Sequence, residues 1–183
     1  MWENVTERLQ KEVDRLDQYG RRHNIVIRNV ELPKKKETIE EVEVKVLDIV
    51  ENSLKSPDLA KDIDKTHRIG RVKTRDGKSY QNIVVRFKTH QSRYKTYQKR
   101  KLLTNDVKIG VHLTRHRGSV LHDSIDFVKD INGVEFAYAN IHGDLRVRLT
   151  DEYDGRDDFE FTSIQELKEI LVEKELIVKD EEE

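Results

Sequence analysis

The chain has 183 residues, of which 39% are charged and 35% are hydrophobic, with a formal net charge of −1. This length allows one large domain or two small ones. The absence of cysteine excludes disulfides and thiolate metal sites and fits a reducing intracellular compartment. The N-terminus lacks an apolar signal-peptide core, and no apolar stretch approaches the roughly 20 residues of a transmembrane helix, so we expect neither feature.

The charges are strongly separated along the chain. Residues 65–117 contain 16 Lys/Arg against 2 Asp/Glu, a net of +14, whereas residues 151–183 contain 4 against 14, a net of −10. A dense basic segment is the usual footprint of a polyanionic partner. Charge alone therefore favours polyanion binding over the simpler interpretation, a solvated charged surface.

The first predicted element is an amphipathic helix over residues 2–19. Apolar residues recur at three-four spacing, with Glu12 as the one polar exception in the stripe. The pattern predicts a short coiled-coil helix that mediates oligomerisation; the alternative is a helix packed on its own domain. The predicted oligomerisation residues are Trp2, Val5, Leu9, Leu16 and Tyr19.

Residues 24–113 predict a β-α-β-β-α-β order. Strands are expected at 24–30, 63–69, 82–88 and 107–113, with helices at 38–54 and 89–103. Thr38 and Glu41 have the spacing of a capping box, and residues 72–80 are expected to form a turn at Asp76-Gly77. This order predicts a ferredoxin-like antiparallel sheet with both helices on one face and the other face open.

The remaining residues predict a second small unit. A helix is expected at 118–131, then strands at 134–141 and 144–150 joined at His142-Gly143, a short strand at 159–161, and a helix capped by Ser163 with Glu166 at the box position. The predicted fold class is therefore α+β: a coiled-coil helix (1–20), a ferredoxin-like, RNA-recognition-type domain (21–113), a small C-terminal α/β domain (114–178) and an acidic tail (179–183).

The first strand resembles that of an RNA-recognition domain. Ile25-Val26-Ile27-Arg28-Asn29-Val30 has the expected alternation, but Val26 stands where an aromatic residue normally stacks on a base. The segment 80–87 keeps only Val85 and Phe87 of the third-strand motif. Since the stacking rings are missing, affinity should come from phosphate contacts, which predicts sequence-tolerant, salt-sensitive binding. The alternative is the same fold with no nucleic-acid role.

The candidate nucleic-acid-binding residues are cations in and around three basic clusters. The clusters lie in the second strand and the following hairpin, on the basic helix, and at the junction before the C-terminal unit. The predicted contacts are Arg21, Arg22, Arg28, Arg68, Arg71, Lys73, Arg75, Lys78, Arg86, Arg93, Lys99, Arg100, Lys101, Arg115, Arg117, Arg146 and Arg148.

Enzyme signatures are weak, and we predict no catalytic residue, cofactor or metal. His112 and His116 have a metal-like spacing, but no cysteine or nearby carboxylate completes a ligand set. Asp157 and Asp158 are expected in a hairpin turn. No Gly-rich phosphate loop, G-x-S-x-G motif or cysteine nucleophile occurs.

The order of several segments resembles the nucleic-acid-binding protein encoded by the first open reading frame of LINE-class (non-LTR) retrotransposons, the transposase type 22-like family. The likeness is carried by the helical stripe running into Tyr19-Gly20-Arg21-Arg22-His23-Asn24, by Thr66-His67-Arg68-Ile69-Gly70, by Asn82-Ile83-Val84-Val85-Arg86-Phe87, by Val111-His112-Leu113-Thr114, by Gly143-Asp144-Leu145-Arg146-Val147-Arg148 and by Ser163-Ile164-Gln165-Glu166-Leu167.

That resemblance implies a coiled-coil homotrimer that binds single-stranded nucleic acid and packages the element's RNA as a chaperone. The family's binding positions fall near Arg71, Lys73 and Arg75, near Lys99, Arg100 and Lys101, and near Arg115 and Arg117. It further implies a cytoplasmic ribonucleoprotein, with the nucleus as the other location.

The sequence thus predicts a non-enzymatic protein whose partner is single-stranded RNA or DNA, from an active element or a co-opted copy. The predicted oligomer is a homotrimer formed through residues 1–20. The alternative function is a protein-interaction or oligomerisation module without nucleic-acid binding.

Overall fold

A computed structural model describes residues 2–103, 106–150 and 158–178, with the side chains of residues 2–4 and 7 outside the description. The chain divides into a central unit, Tyr19–His112, and a flanking unit, Met1–Gln18 with Leu113–Glu183. The described residues form six α-helices and two antiparallel sheets, which confirms the predicted α+β class.

Helix α1 (Trp2–Gly20) precedes the strands of the central unit, and its last two residues, Tyr19 and Gly20, belong to that unit. Its remaining elements are β1 (Asn24–Glu31), α2 (Ile39–Asp48), a π-helical turn (Ile49–Ser53), α3 (Pro57–Ala60), β2 (Ile63–Arg75), β3 (Lys78–Phe87), α4 (His90–Gln98), a 3₁₀ turn (Lys99–Leu102) and β4 (Lys108–Val111). The four strands form one antiparallel sheet in the order β2-β3-β1-β4.

One face of this sheet carries the core of the central unit. Alternate residues of β3, namely Ile83, Val85 and Phe87, are fully buried and pack with the apolar stripe of α2, including Val46. The strand period of two places these side chains on one face. The helices therefore cover the face to which the sequence pattern assigns them.

The predicted capping box at the start of α2 is confirmed. Glu41 N–H donates to Thr38 Oγ1 at 3.3 Å, and Thr38 N–H donates to Glu41 Oε2 at 2.8 Å. The regular α-helix ends at Asp48 and continues as the π-helical turn, so the predicted helix over 38–54 is one segment with two helical geometries.

The β2–β3 hairpin is longer than predicted. Asp76 and Gly77 form the expected turn, both with positive φ (52° and 72°), as a two-residue hairpin turn requires. The strands continue up to this turn through the pairs Lys73–Tyr80 and Arg75–Lys78, past a register shift between Ile69 and Lys73. The turn predicted over 72–80 is therefore wrong, because a tight two-residue turn lets the ladder extend beyond the bulge.

The flanking unit contains α5 (Arg115–Val128), β5 (Val134–Ala139), β6 (Leu145–Leu149), β7 (Asp158–Phe161) and α6 (Ile164–Glu173), besides most of α1. Its antiparallel sheet has the order β5-β6-β7. Helix α5 begins three residues earlier than predicted because Thr114 Oγ1 accepts from the Arg117 N–H at 3.2 Å and caps the first turn. The core comprises Val120, Val128, Ala137, Leu145, Val147, Leu149, Phe161, Leu167 and Leu171.

The predicted hairpin, helix cap and acidic turn of this unit have different outcomes. Gly143 has φ 91° at the predicted hairpin. Ser163 caps α6, but the Glu166 carboxylate accepts from the Thr162 N–H at 2.7 Å and not from the cap residue itself. Asp158 lies in β7, so its assignment to a turn is wrong, while Asp157 lies outside the described residues.

Arg68 ties three parts of the central unit together. Its guanidinium donates five hydrogen bonds, two to the Glu37 carboxylate and three to the carbonyls of Val30, Glu31 and Gln81, over 2.8–3.3 Å. The Arg68 and Glu37 side chains are only 11% and 5% exposed. Arg68 thereby joins the end of β1, the middle of β3 and the segment before α2.

Replacing Arg68 by methionine should destabilise the central unit by about 3 kcal/mol, because the buried Glu37 carboxylate keeps only Lys45 as an ion-pair partner and the partly buried carbonyls of Val30 and Gln81 lose this donor. Urea denaturation followed by circular dichroism measures the change. Arg71→Met, at an exposed position on the same strand, is the matched control and should change stability by less than about 0.5 kcal/mol. Equal effects of the two substitutions would contradict a structural role for Arg68.

Candidate nucleic-acid interface

The helix-free face of the central sheet carries exposed cations from all four strands. Strand alternation and cross-strand register place residues of all four strands on it, since directly opposed residues point to the same side. From β1 to β4 its members include Val26, Arg28, Lys65, His67, Val84, Arg86, Lys108 and Gly110.

Two pairs of like charges oppose each other in register on the helix-free face. Arg28 faces Lys108 across β1 and β4, and Lys65 faces Arg86 across β2 and β3. Directly opposed like charges destabilise a sheet, so this arrangement is costly unless an anion lies between them. Arg86 is partly compensated by Asp64 at 3.4 Å; for Arg28, Lys65 and Lys108 the described residues supply no ion pair.

The centre of the helix-free face is apolar and covered. Val26 and Val84 oppose each other and are only 6% and 2% exposed, so the expectation of an open face is wrong at its centre. The positions that would carry stacking rings therefore offer neither an aromatic ring nor an accessible apolar surface. The accessible part of the face is its cationic margin.

The β2–β3 hairpin adds a second group of cations. Arg71 and Lys73 are exposed and have no hydrogen-bond or ion-pair partner within residues 2–103, 106–150 and 158–178. Arg75 bonds the Asp106 carboxylate and lies 5.5 Å from the Tyr80 ring centroid. Lys78 donates to Glu31 at 3.1 Å. Of these four predicted contacts, two remain uncommitted and two share their charge with a carboxylate.

The basic cluster at α4 lies in the helix layer, away from the helix-free face. Arg93 is 1% exposed and donates to the Asn24 carbonyl at 3.3 Å, and burial lowers its pKa. Its assignment as a nucleic-acid contact is corrected, because it packs between helix and sheet. Lys99 donates to Ser56 Oγ at 2.6 Å, Arg100 lies 4.1 Å from the Tyr97 ring centroid, and Lys101 is exposed.

Arg21 and Arg22 lie just after α1. Arg21 Nη1 is 2.9 Å from His112 Nε2, and Arg22 lies 3.9 Å from the Tyr19 ring centroid. On the other side of the ring, Asn24 Nδ2 lies 3.2 Å from His112 Nδ1. Arg21 is therefore committed to a partner within the central unit.

In the flanking unit, Arg117 has a structural position. It donates to Asp14 Oδ2 at 2.7 Å and to the Gly143 carbonyl at 2.8 Å, and so links α1, α5 and the β5–β6 hairpin. Burial would raise the pKa of Asp14, but hydrogen bonds from Arg117 and Thr114, with the nearby positive charges, outweigh it and lower the pKa. Arg115, by contrast, is exposed.

Arg146 and Arg148 point from β6 toward carboxylates on β7. Arg148 donates to both Asp158 oxygens at 2.8 and 3.0 Å, and these bonds lower the pKa of Asp158. Arg146 lies 3.5 Å from Glu160. The face is thus nearly neutral, although Phe136 and Tyr138 lie there beside Arg148.

Helix α1 uses its polar side to contact the flanking unit. Gln18 is buried, accepts from the Thr114 N–H at 3.0 Å and lies against Gly143, while Asp14 bonds Arg117. The opposite side carries Val5, Leu9, Val13, Leu16 and Tyr19, which are 38–62% exposed. The Trp2 side chain lies outside the description. The stripe predicted for oligomerisation is therefore accessible, and Val13 widens it.

Sequence reasoning missed Lys65 and Lys108 on the helix-free face. Strand alternation from Gly110 would have placed Lys108 there. The opposition of Lys108 to Arg28 and of Lys65 to Arg86 depends on strand pairing, which a single sequence does not display.

No protein-family model matches the chain, and no curated protein is significantly similar to it. Within the described part of the chain, no three His, Cys, Asp or Glu side chains are grouped as a metal ion would require. None of the described helices combines the length and apolarity needed to cross a membrane.

The lowered pKa of Asp14 predicts an acid-sensitive helix contact. Such a carboxylate stabilises the fold above its ordinary pKa of 3.8, and that contribution is lost as the pH falls through the lower folded value. Asp14→Asn should cost about 1.5–3 kcal/mol at pH 7 and flatten the decline in stability below about pH 4. Thermal melts from pH 7 to pH 2.5 measure both effects. Asp130→Asn, at an exposed position of the same unit, is the control; parallel pH curves for the parent and Asp14→Asn would contradict this role.

Proposed function

We propose that the protein binds single-stranded RNA or DNA, with little sequence preference, along the helix-free face of the central sheet and the β2–β3 hairpin. The observation that carries the proposal is the pair of like-charged, cross-strand contacts, Arg28–Lys108 and Lys65–Arg86. A phosphate backbone would relieve the repulsion in both pairs, whereas a neutral partner would not.

The architecture of the central unit supports an RNA-recognition-type, ferredoxin-like assignment. Its β-α-β-β-α-β order, its antiparallel sheet in the order β2-β3-β1-β4 and its helices on one face are what that fold requires. Domains of this type bind single strands on the face that the helices leave uncovered. The short helix α3 is an addition between α2 and β2.

The electrostatic balance supports a role in packaging rather than in sequence reading. With Val26 and Val84 covered, binding depends on ammonium and guanidinium contacts to phosphates, which hold any sequence. Such binding, with no catalytic step, suits a chaperone that coats the RNA of a LINE-type retrotransposon or of a co-opted copy. The support for that biological setting is the order of motifs along the chain.

Removing one cation from each like-charged pair tests the interface. Lys65→Gln/Lys108→Gln should weaken binding of a fluorescein-labelled 20-nucleotide single strand and reduce the slope of log K against log salt by about 1.4, because two phosphate contacts are lost. Fluorescence polarisation at a series of salt concentrations measures both. The same variant should be as stable as the parent or slightly more stable, since two repulsions are removed.

The matched control changes one exposed lysine in each unit, both outside the helix-free face: Lys61→Gln/Lys129→Gln. It removes the same net charge and should leave the salt slope close to that of the parent. Equal losses in the two double variants would show that only net charge matters, which would remove the assignment of this face.

A second candidate function, self-association through α1, is favoured by the exposed apolar stripe. The helix contacts the flanking unit through Asp14 and Gln18, so Leu9 and Leu16 remain exposed. A second copy of the helix would cover the stripe in the manner of a coiled coil. This interaction is compatible with strand binding and is tested separately.

Leu9→Gln/Leu16→Gln should convert an oligomer of the parent chain to a monomer in size-exclusion chromatography with light scattering, because the coiled-coil seam loses two central apolar residues. Ile39→Gln/Val44→Gln makes the same chemical change at two exposed positions of α2 and should leave the mass unchanged. A parent that is monomeric at tens of micromolar would contradict the proposed self-association.

A further inference from the structure

Gly110 allows the Arg28 side chain to lie against β4. A Cβ atom added at Gly110 would lie 3.1, 3.2 and 3.3 Å from Nη2, Cζ and Nε of Arg28. A guanidinium approaching by its edge would leave Cζ farther away than the two nitrogens beside it. The near equality of the three distances therefore shows that Arg28 presents its flat face to Gly110.

The other flat face of the Arg28 guanidinium points away from the strand. The Arg28 side chain is exposed, and it makes no hydrogen bond or ion pair with any residue that the structure describes. Lys108, its neighbour in register, is also a cation and cannot accept from it. A rigid strand thus supports a planar cation whose outer face is uncovered.

A planar cation in this position can replace a missing aromatic ring. Unstacked bases of single strands stack on guanidinium planes as well as on aromatic side chains. Val26, at the position where a ring would stand, is on the same strand face as Arg28, two residues away. A glycine inside a strand also marks places where a ligand approaches the backbone closely.

We propose that the guanidinium of Arg28, held flat over Gly110, is a stacking surface for one base of the bound single strand, and that Lys108 holds an adjacent phosphate. The inference rests on the proposed function and adds a base contact to the phosphate contacts. Because every base has a π-face, this contact adds affinity without reading sequence.

The test separates base stacking from charge by using two probes. The probes are a labelled oligothymidylate and a labelled abasic strand of equal length, which have the same phosphates and differ in their bases. Arg28→Lys keeps the positive charge and removes the plane. It should weaken oligothymidylate binding about five- to tenfold and change abasic-strand binding by less than about twofold.

A second variant leaves Arg28 itself unchanged. Gly110→Val places a side chain where the guanidinium lies, and valine suits a strand, so the plane is displaced while the charge remains. It should reproduce the selective loss on oligothymidylate. Arg71→Lys is the matched control, the same chemical change at another exposed arginine, and should affect neither probe selectively. Circular dichroism confirms that each variant is folded.

The outcomes separate this inference from the proposed function. If Arg28→Lys leaves both affinities unchanged, or weakens both probes equally, the stacking role is overturned and phosphate binding stands. If the parent binds neither probe in dilute buffer, both proposals are overturned. A selective loss with Arg28→Lys supports the stacking surface even if Gly110→Val does not fold.

Discussion

The hydrogen bonds from Arg68 to strand carbonyls fix the point where the four-stranded sheet becomes a two-stranded ribbon. Arg68 lies on β2 and reaches the carbonyls at the end of β1 and in β3, just where β1 ends and β2 and β3 continue toward Asp76-Gly77. A two-stranded ribbon is marginally stable by itself, so its base must be held by the domain. The cations of the hairpin are therefore presented by an element anchored through a buried, fully hydrogen-bonded guanidinium.

Hydrogen bonds within the protein also determine which cations are available to a ligand, because a donor that is already bonded cannot bind a phosphate. A guanidinium has five N–H donors, and Arg68 directs five hydrogen bonds inward. Arg117 and Arg148 are likewise committed to Asp14 and Asp158. A phosphate could recruit such residues only by breaking bonds that hold the fold. Among the seventeen predicted contacts, those that need no such exchange with a described residue are Arg28, Arg71, Lys73, Lys101 and Arg115; Lys65 and Lys108 on the helix-free face add to them.

Local patterns predicted much of the architecture, because they depend on neighbours in sequence. The capping box at Thr38, the turn at Asp76-Gly77 and the alternation of Ile83, Val85 and Phe87 are set within a few residues. The pairing of cations depends on tertiary proximity instead: Asp14 and Arg117 are 103 residues apart. The burial of Arg93 was missed because its helix face is defined by the sheet beneath it. Strand register cannot be derived from a single sequence either, so the opposition of Lys65 to Arg86 and of Lys108 to Arg28 was not predicted.

An amphipathic helix usually packs its apolar side on the core, but helix α1 packs its polar side on the flanking unit. Asp14 and Gln18 on its polar side bind the flanking unit, while Leu9, Val13 and Leu16 remain exposed. Hydrogen bonds and an ion pair fix the docked position of the helix, and its apolar side stays exposed. Self-association through that side would have a direct consequence for the proposed binding of a single strand through phosphate contacts. Several copies on one strand would raise the effective concentration of each binding face, so that modest contacts at each copy add up to stable coating of the strand.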